Sequence, residues 1–248
     1  MILSIITVAS RDPIRLKKTL ESLAEIPSEV EHITVIPAFD VATLQVWHNF
    51  RKINGPGFKL INDSGNGVYP AMNNGILASS GKYICFWNAG DELVKTDEPL
   101  SEVIDIVKAQ EPGWIIVQGI FDWREDMKLS HLELNDFIIH KMEAFISHQT
   151  TIVSRRYFNT IGLFSPRFRV ASDTAVITQL VKFSLPLLIE KKLVRVEKPN
   201  FASRHHRRAR VESLAIAVFH LRGRQRMQAL RNIVLNEINM LRGRTNYS

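Results

Sequence analysis

The turn after the first apolar run of this chain contains no glycine. Val8 to Pro13 reads Val-Ala-Ser-Arg-Asp-Pro, so the Gly-x-Gly-x-x-Gly loop that brings a dinucleotide pyrophosphate against the backbone is missing and a nicotinamide-dependent dehydrogenase is excluded. Cysteine is nearly absent too. The single Cys85 lies in the apolar run Tyr-Ile-Cys-Phe-Trp, which rules out an intramolecular disulfide and reads as a small buried hydrophobe in a reducing compartment. No apolar run approaches the roughly 20 residues that cross a bilayer, and the start Met-Ile-Leu-Ser-Ile-Ile lacks a basic flank and a small-residue cleavage site. A cytoplasmic protein is expected, soluble or peripheral on the inner face of the cell membrane. Zinc-ligand spacing, aromatic RNA-binding signatures and DNA-reading motifs are also missing, so no nucleic acid is expected as a partner.

What is present is an ordinary globular composition with a basic excess. Of 248 residues, 45% are hydrophobic and 23% charged, and 32 Lys and Arg against 25 Asp and Glu leave a net charge of +7. The excess is uneven, because arginines crowd the chain from Arg204 to Arg244. Two units follow: a globular domain over residues 1–200 and a basic helical tail over 201–248, the latter suited to an anionic surface.

Along the first unit, short β-rich runs alternate with helical patterns. Ile2 to Val8, His32 to Ile36, Phe58 to Ile61, Tyr83 to Trp87, Trp114 to Val117 and Lys192 to Val196 read as strands. Helices are expected after Pro13 with Leu16, Leu20 and Leu23 on one face, over Val41 to Asn54, Ala71 to Ser79, Pro99 to Lys108, Ser154 to Ile161 and Ser172 to Phe183. Asp122 to His140 has no clean period and reads as a connection. The alternation predicts an α/β fold with a mostly parallel, doubly wound sheet and flanking helices. From Val211 onward, apolar residues at helical spacing with arginines between them predict an amphipathic helix or pair.

In such sheets ligands bind beyond the carboxyl ends of the strands. Three of those ends carry candidate residues. Thr7 to Asp12 offers small and polar side chains beside a helix N-terminus that favours phosphate, although capping alone accounts for Ser10 and Asp12. Asn88-Ala89-Gly90-Asp91-Glu92 is a small-residue turn with adjacent carboxylates, the hard oxygen ligands that Mg²⁺ prefers, although such a turn by itself is more often only a solvated loop. Val170-Ala171-Ser172-Asp173 places an acid at a helix start, where the helix dipole alone would favour it.

Read with Gly67-Val68-Tyr69-Pro70-Ala71-Met72-Asn73-Asn74-Gly75-Ile76 between them, these pieces resemble glycosyltransferase family 2, in its branch that assembles bacterial surface polysaccharides of the colanic acid, capsule and O-antigen type. Members of that branch carry a Gly-Ile-Tyr-Asp-Ala-Met-Asn-Lys-Gly-Ile segment followed by Asn-Ser-Gly-Asp or Asn-x-Asp-Asp. The resemblance spans about residues 1–200 and includes His148-Gln149, Ile161-Gly162-Leu163-Phe164 and Ala171-Ser172-Asp173. It implies the GT-A fold and metal-dependent, inverting transfer from a nucleotide-diphosphate sugar to a glycan or lipid-linked hydroxyl. Thr7, Ala9, Arg11, Asp40, Asp63, Gly67, Met72, Asn73, Asn88 and Ala89 would line the nucleotide site, and Asp91 would hold Mg²⁺ or Mn²⁺. Asp173 would be the base that deprotonates the acceptor, with Glu92, His148, Gln149, His205 and Arg207 on the acceptor or phosphate side.

Three departures mark the nucleotide side. Where the family has acids, this chain has Pro37, Gly65 and Pro70, with Asp40 and Asp63 the nearest substitutes. The alternative they raise is a non-catalytic scaffold of the same fold in a polysaccharide assembly complex. The tail has three uses open to it: lying on an anionic membrane, packing on the domain, or pairing two copies into a homo-oligomer.

Overall fold

The computed structural model describes residues 1–54, 57–96, 98–121, 146–198 and 206–221, together with 223, 226–227, 230–231 and 234–235. Its first half repeats one unit: β1 (Leu3–Val8), α1 (Pro13–Ser22), β2 (Val30–Pro37), α2 (Val41–Ile53), β3 (Phe58–Asp63), α3 (Val68–Ala78) and β4 (Tyr83–Asn88). The second half runs through a two-residue β5 (Glu92–Leu93), α4 (Pro99–Gln110) and β6 (Trp114–Phe121). It resumes at a 3₁₀ turn (His148–Thr150) leading into β7 (Thr151–Ser154), then α5 (Arg155–Ile161), α6 (Ser172–Phe183), β8 (Leu187–Val196) and α7 (His206–His220). The stretch read above as a connection, Asp122 to His140, lies outside the described residues.

The eight strands form one sheet in the order β3-β2-β1-β4-β7-β6-β8-β5. β1 pairs in parallel with β2 and β4, β2 with β3, and β6 with β8, whereas β7 runs antiparallel to both its neighbours and β5 antiparallel to β8. The expected doubly wound, mostly parallel α/β sheet is therefore present. Alternation along the strands feeds two apolar layers. Ile5, Cys85 and Ile115 face a layer completed by Leu16 and Leu20 of α1, Trp47 of α2 and Val103 of α4. Ile6, Ile33 and Ile84 face the other, completed by Met72 and Ile76 of α3, Phe158 of α5 and Leu180 of α6. Burial pushes the Cys85 thiol upward, so it stays a neutral core side chain.

Two features lay beyond the sequence reading. β7 sits inside the segment read only as a motif, and β5, which follows β4 in the chain, pairs with β8 to form the far edge, so the sheet curls on itself. α7 is seated on the domain: Ile216 packs with Ala171 and Ala175 of the α6 region. Glu212 also receives the backbone amides of Arg169, Val170 and Ala171 at 2.9, 2.8 and 3.0 Å. The helix predicted from Val211 thus begins earlier, at His206, and its inward face serves packing.

Candidate active site

The register sets the ends of the central strands side by side: Val8 stands opposite Val35 and Asn88, and Pro37 opposite Asp63. Asp40 caps α2 by accepting the Thr43 amide at 3.3 Å and also takes the Arg11 amide. Burial opposes the charge of Asp40, yet the Arg11 and Thr43 hydrogen bonds outweigh it and lower the carboxyl. Arg11 lies at φ 57 with its guanidinium 5.7 Å from the ring centroid of Phe39, an aromatic side chain left exposed at this edge. Asp63 turns one oxygen back to the Gly65 amide at 3.1 Å and is nearly buried. Ala9 and Ala89 bring backbone close to this edge, their amides bonded to Val35 O and Val8 O at 3.0 and 3.3 Å. Gly67, at φ 117, opens α3 and stays exposed.

Beside that edge runs a line of polar side chains from four separate segments. The Asn88 amide nitrogen at the end of β4 lies 3.3 Å from His148 Nε2. His148 Nδ1 lies 3.0 Å from Asp173 Oδ2 in the first turn of α6. Tyr69 of α3 completes the line, its hydroxyl 3.0 Å from Asp173 Oδ1 and 2.7 Å from Val170 O. Asp173 is desolvated, which works against its charge, but the His148, Thr174 and Tyr69 hydrogen bonds win and lower its carboxyl. Burial, with Asp173 beside it, raises Tyr69, which therefore remains a neutral donor. A carboxylate paired with an imidazole at a partly open position has the composition of a proton-accepting centre.

Asp91 behaves differently from the expectation that it holds a cation. It is 0% exposed, Oδ2 receives the Asn88 amide at 2.6 Å and Oδ1 receives the Glu197 amide at 2.9 Å. Burial pushes its carboxyl up to about 6 despite those bonds. The side chain is a staple between the end of β4 and the end of β8. Gly90 permits the approach, since at φ 105 an added Cβ would stand 2.9 Å from Glu197 Cγ. An ion must replace its own water with protein oxygen, and an oxygen that no water can touch does not offer that exchange. Among the described residues no three His, Cys, Asp or Glu side chains gather as a ligand set. The residues present therefore do not fit a cation held by Asp91.

Several other expected nucleotide residues also have internal roles. Thr7 is fully buried with its hydroxyl 2.9 Å from His32 Nε2, and Met72 lies in the core. Asn73 clamps the backbone of Phe164 in both directions, at 2.9 and 3.0 Å. Gln149 is buried, receives the Ser147 hydroxyl and supports Asp91, so it braces the site from behind. Glu92 is half-buried in β5, Arg207 is exposed at the start of α7, and His205 lies outside the described residues. Residue reading missed Tyr69, Phe39 and Glu212 as site residues. Tyr69 sat inside the quoted motif. Phe39 and Glu212 carried no local signal, because their importance arises from partners distant in the chain.

Against known proteins, the model of the glycosyl transferase family 2 domain matches residues 4–162. PGL/p-HBAD biosynthesis glycosyltransferases of Mycobacterium bovis and Mycobacterium tuberculosis are 28% identical over 131 residues, 53% of this chain and 50% of theirs, so the chain spans about half the length of the curated relatives it matches. Among solved structures, S. aureus TarS 1-349 superposes with a TM-score of 0.70 at 15% identity, over 98% of this chain and 73% of that one. The same TarS fragment in complex with UDP-GlcNAc gives 0.69 at 15% identity, over 94% and 72%. The mannosyltransferase PcManGT of Pyrobaculum calidifontis, in complex with GDP-Man and Mn²⁺, gives 0.65 at 14% identity, over 99% and 76%. These likenesses establish the GT-A fold.

Proposed function

Because the chain belongs to glycosyltransferase family 2, we propose that it moves one sugar from a nucleoside-diphosphate donor to a hydroxyl of a lipid-linked bacterial glycan in surface polysaccharide biosynthesis, inverting the anomeric centre in one displacement. The observation that carries this reading is the Asn88–His148–Asp173–Tyr69 line beside the strand ends, a single proton-accepting centre where an acceptor oxygen must be activated. One such centre suits direct in-line attack, since no second nucleophile is then needed. The edge formed by Arg11, Phe39 and Asp40 supplies a cation, an aromatic face and a carboxylate for the donor side. The nucleotide sugars named in the TarS and PcManGT complexes, and the PGL/p-HBAD biosynthesis named for the mycobacterial relatives, support the substrate classes.

Calorimetric titration of the full chain with UDP, GDP and dTDP, each with and without Mn²⁺, tests the donor side. One nucleotide should bind, and the arms with and without Mn²⁺ test whether that binding needs the cation. Asp173→Asn should retain that binding while losing sugar transfer, because it acts on the acceptor side. Absence of binding to all three under both conditions would support the non-catalytic scaffold instead.

A further inference from the structure

We propose that the atom which takes the acceptor's proton is His148 Nε2, with Asp173 behind it as a positioning residue; this rests on the transferase reading above. Both oxygens of Asp173 are already engaged. Oδ1 receives the Thr174 amide at 2.8 Å and stands 3.0 Å from the Tyr69 hydroxyl, while Oδ2 lies 3.0 Å from His148 Nδ1. An ionised carboxylate only accepts, so Nδ1 must carry the hydrogen, and the neutral ring then has its lone pair on Nε2. Asn88 meets that lone pair with its amide nitrogen at 3.3 Å, a long bond that an incoming hydroxyl can displace. Turned over, the same amide offers Oδ1 to a protonated Nε2, so Asn88 can accompany the ring in both states.

The electrostatics point the same way. The hydrogen bonds that fix Asp173 lower its carboxyl and so weaken it as a base. The imidazole feels Asp173 from α6 and Asp91 from the turn after β4, while Tyr69 of α3 stays neutral. The side chains of His148 and Asp173 retain 19% and 22% of their exposure, and the ring stands between Asp173 and the β4 end. In the step, the acceptor O–H bond breaks and its proton goes to Nε2. The oxygen's pair forms the bond to the anomeric carbon. The bond from that carbon to phosphate oxygen breaks, and its pair leaves on the nucleoside diphosphate. The imidazolium, paired with Asp173, later returns its proton to water.

The test uses the full chain with UDP-N-acetylglucosamine, UDP-glucose and GDP-mannose, and reads nucleoside diphosphate release. His148→Ala should lower kcat by about 10²–10⁴-fold, the usual contribution of a general base, with nucleotide affinity unchanged. Added imidazole should restore turnover to that variant but not to Asp173→Asn, whose ring is present but misdirected. His148→Gln, which keeps a partner for Asp173, should be as slow, separating loss of the base from loss of folding. Full turnover by His148→Gln, or His148→Ala that imidazole does not rescue while Asp173→Asn is dead, would return the proton to Asp173. The ¹⁵N spectrum of His148 near neutral pH judges the pairing without turnover: a hydrogen on Nδ1 and a bare Nε2 are expected. A hydrogen on Nε2 alone, or a permanent imidazolium, would overturn the assignment. A wild-type chain that releases nothing from any donor would instead count against the transferase reading.

Discussion

Asp91 is held by two backbone amides, those of Asn88 and Glu197. Replacing it by asparagine presents an NH₂ to one of those N–H donors, and a buried donor left without an acceptor costs about 1–3 kcal/mol. Urea unfolding of Asp91→Asn should show that loss. Its pH dependence is also fixed in sign. The folded carboxyl titrates at about 6 against an ordinary 3.8, so between those values the folded state holds the proton more tightly than the unfolded state and stability falls as pH rises. Glu31 acts oppositely. Burial disfavours its charge, but Lys59, Ser4 and Ser80 outweigh that and hold it at about 2 against an ordinary 4.5. Its contribution is therefore present above pH 4.5 and lost as pH falls toward 2. Compared with the wild type, Asp91→Asn should lack this downward contribution between about pH 4 and 6, so the stability difference between the two should narrow as pH rises through that window. An unchanged difference would mean that Asp91 is not the group responsible. The sequence located this turn through Asn88, Gly90 and Asp91. It could not tell which way the carboxylate points, because that depends on β8 arriving from more than a hundred residues later.

At the scale of elements, α7 positions the loop that carries Asp173. Glu212 gathers three consecutive amides before α6, and burial of its carboxylate is more than offset by those bonds and by Arg208 at 2.9 Å. Glu212→Gln leaves one amide facing an NH₂, so the loop should loosen by the roughly 1–3 kcal/mol expected for an unmet buried donor. Sugar transfer should fall while nucleotide affinity holds, since the donor edge lies on β1 to β4. Equal loss of both would show that α7 supports the whole domain rather than the acceptor side. Legibility of the elements follows their length. The long apolar runs of β1, β2 and β4, the capped helix α1 and the helical period of α6 were readable, because those signals are local. The two residues of β5 and four of β7 are too short to show a period, and only pairing with distant strands makes them strands.

At the scale of the whole molecule, the lipid-linked acceptor proposed above requires a surface that can meet a bilayer. No helix among the described residues is long and apolar enough to cross a membrane. The outward side of α7 nevertheless leaves Val211, Val218 and Phe219 exposed, with Arg207 and Arg208 near its start. Phe183 and Leu185 are exposed too, and Lys182 of α6 beside them donates to His220 O at the C-terminal end of α7. Apolar side chains among arginines on one side of a helix suit the headgroup boundary of an anionic bilayer, where apolar burial and charge attraction add. Flotation of the full chain with phosphatidylserine-containing vesicles should recover it, and neutral phosphatidylcholine vesicles should not. Phe219→Glu changes an exposed position and spares the inward face of Ile216 and Ala217, so it should cut recovery without lowering the melting temperature. A cut after Leu221 keeps Glu212 and the packed helix, and so separates the later arginines from the fold. Full recovery by Phe219→Glu on anionic vesicles would remove α7 from the contact. Recovery lost only on truncation would assign it to the residues that follow.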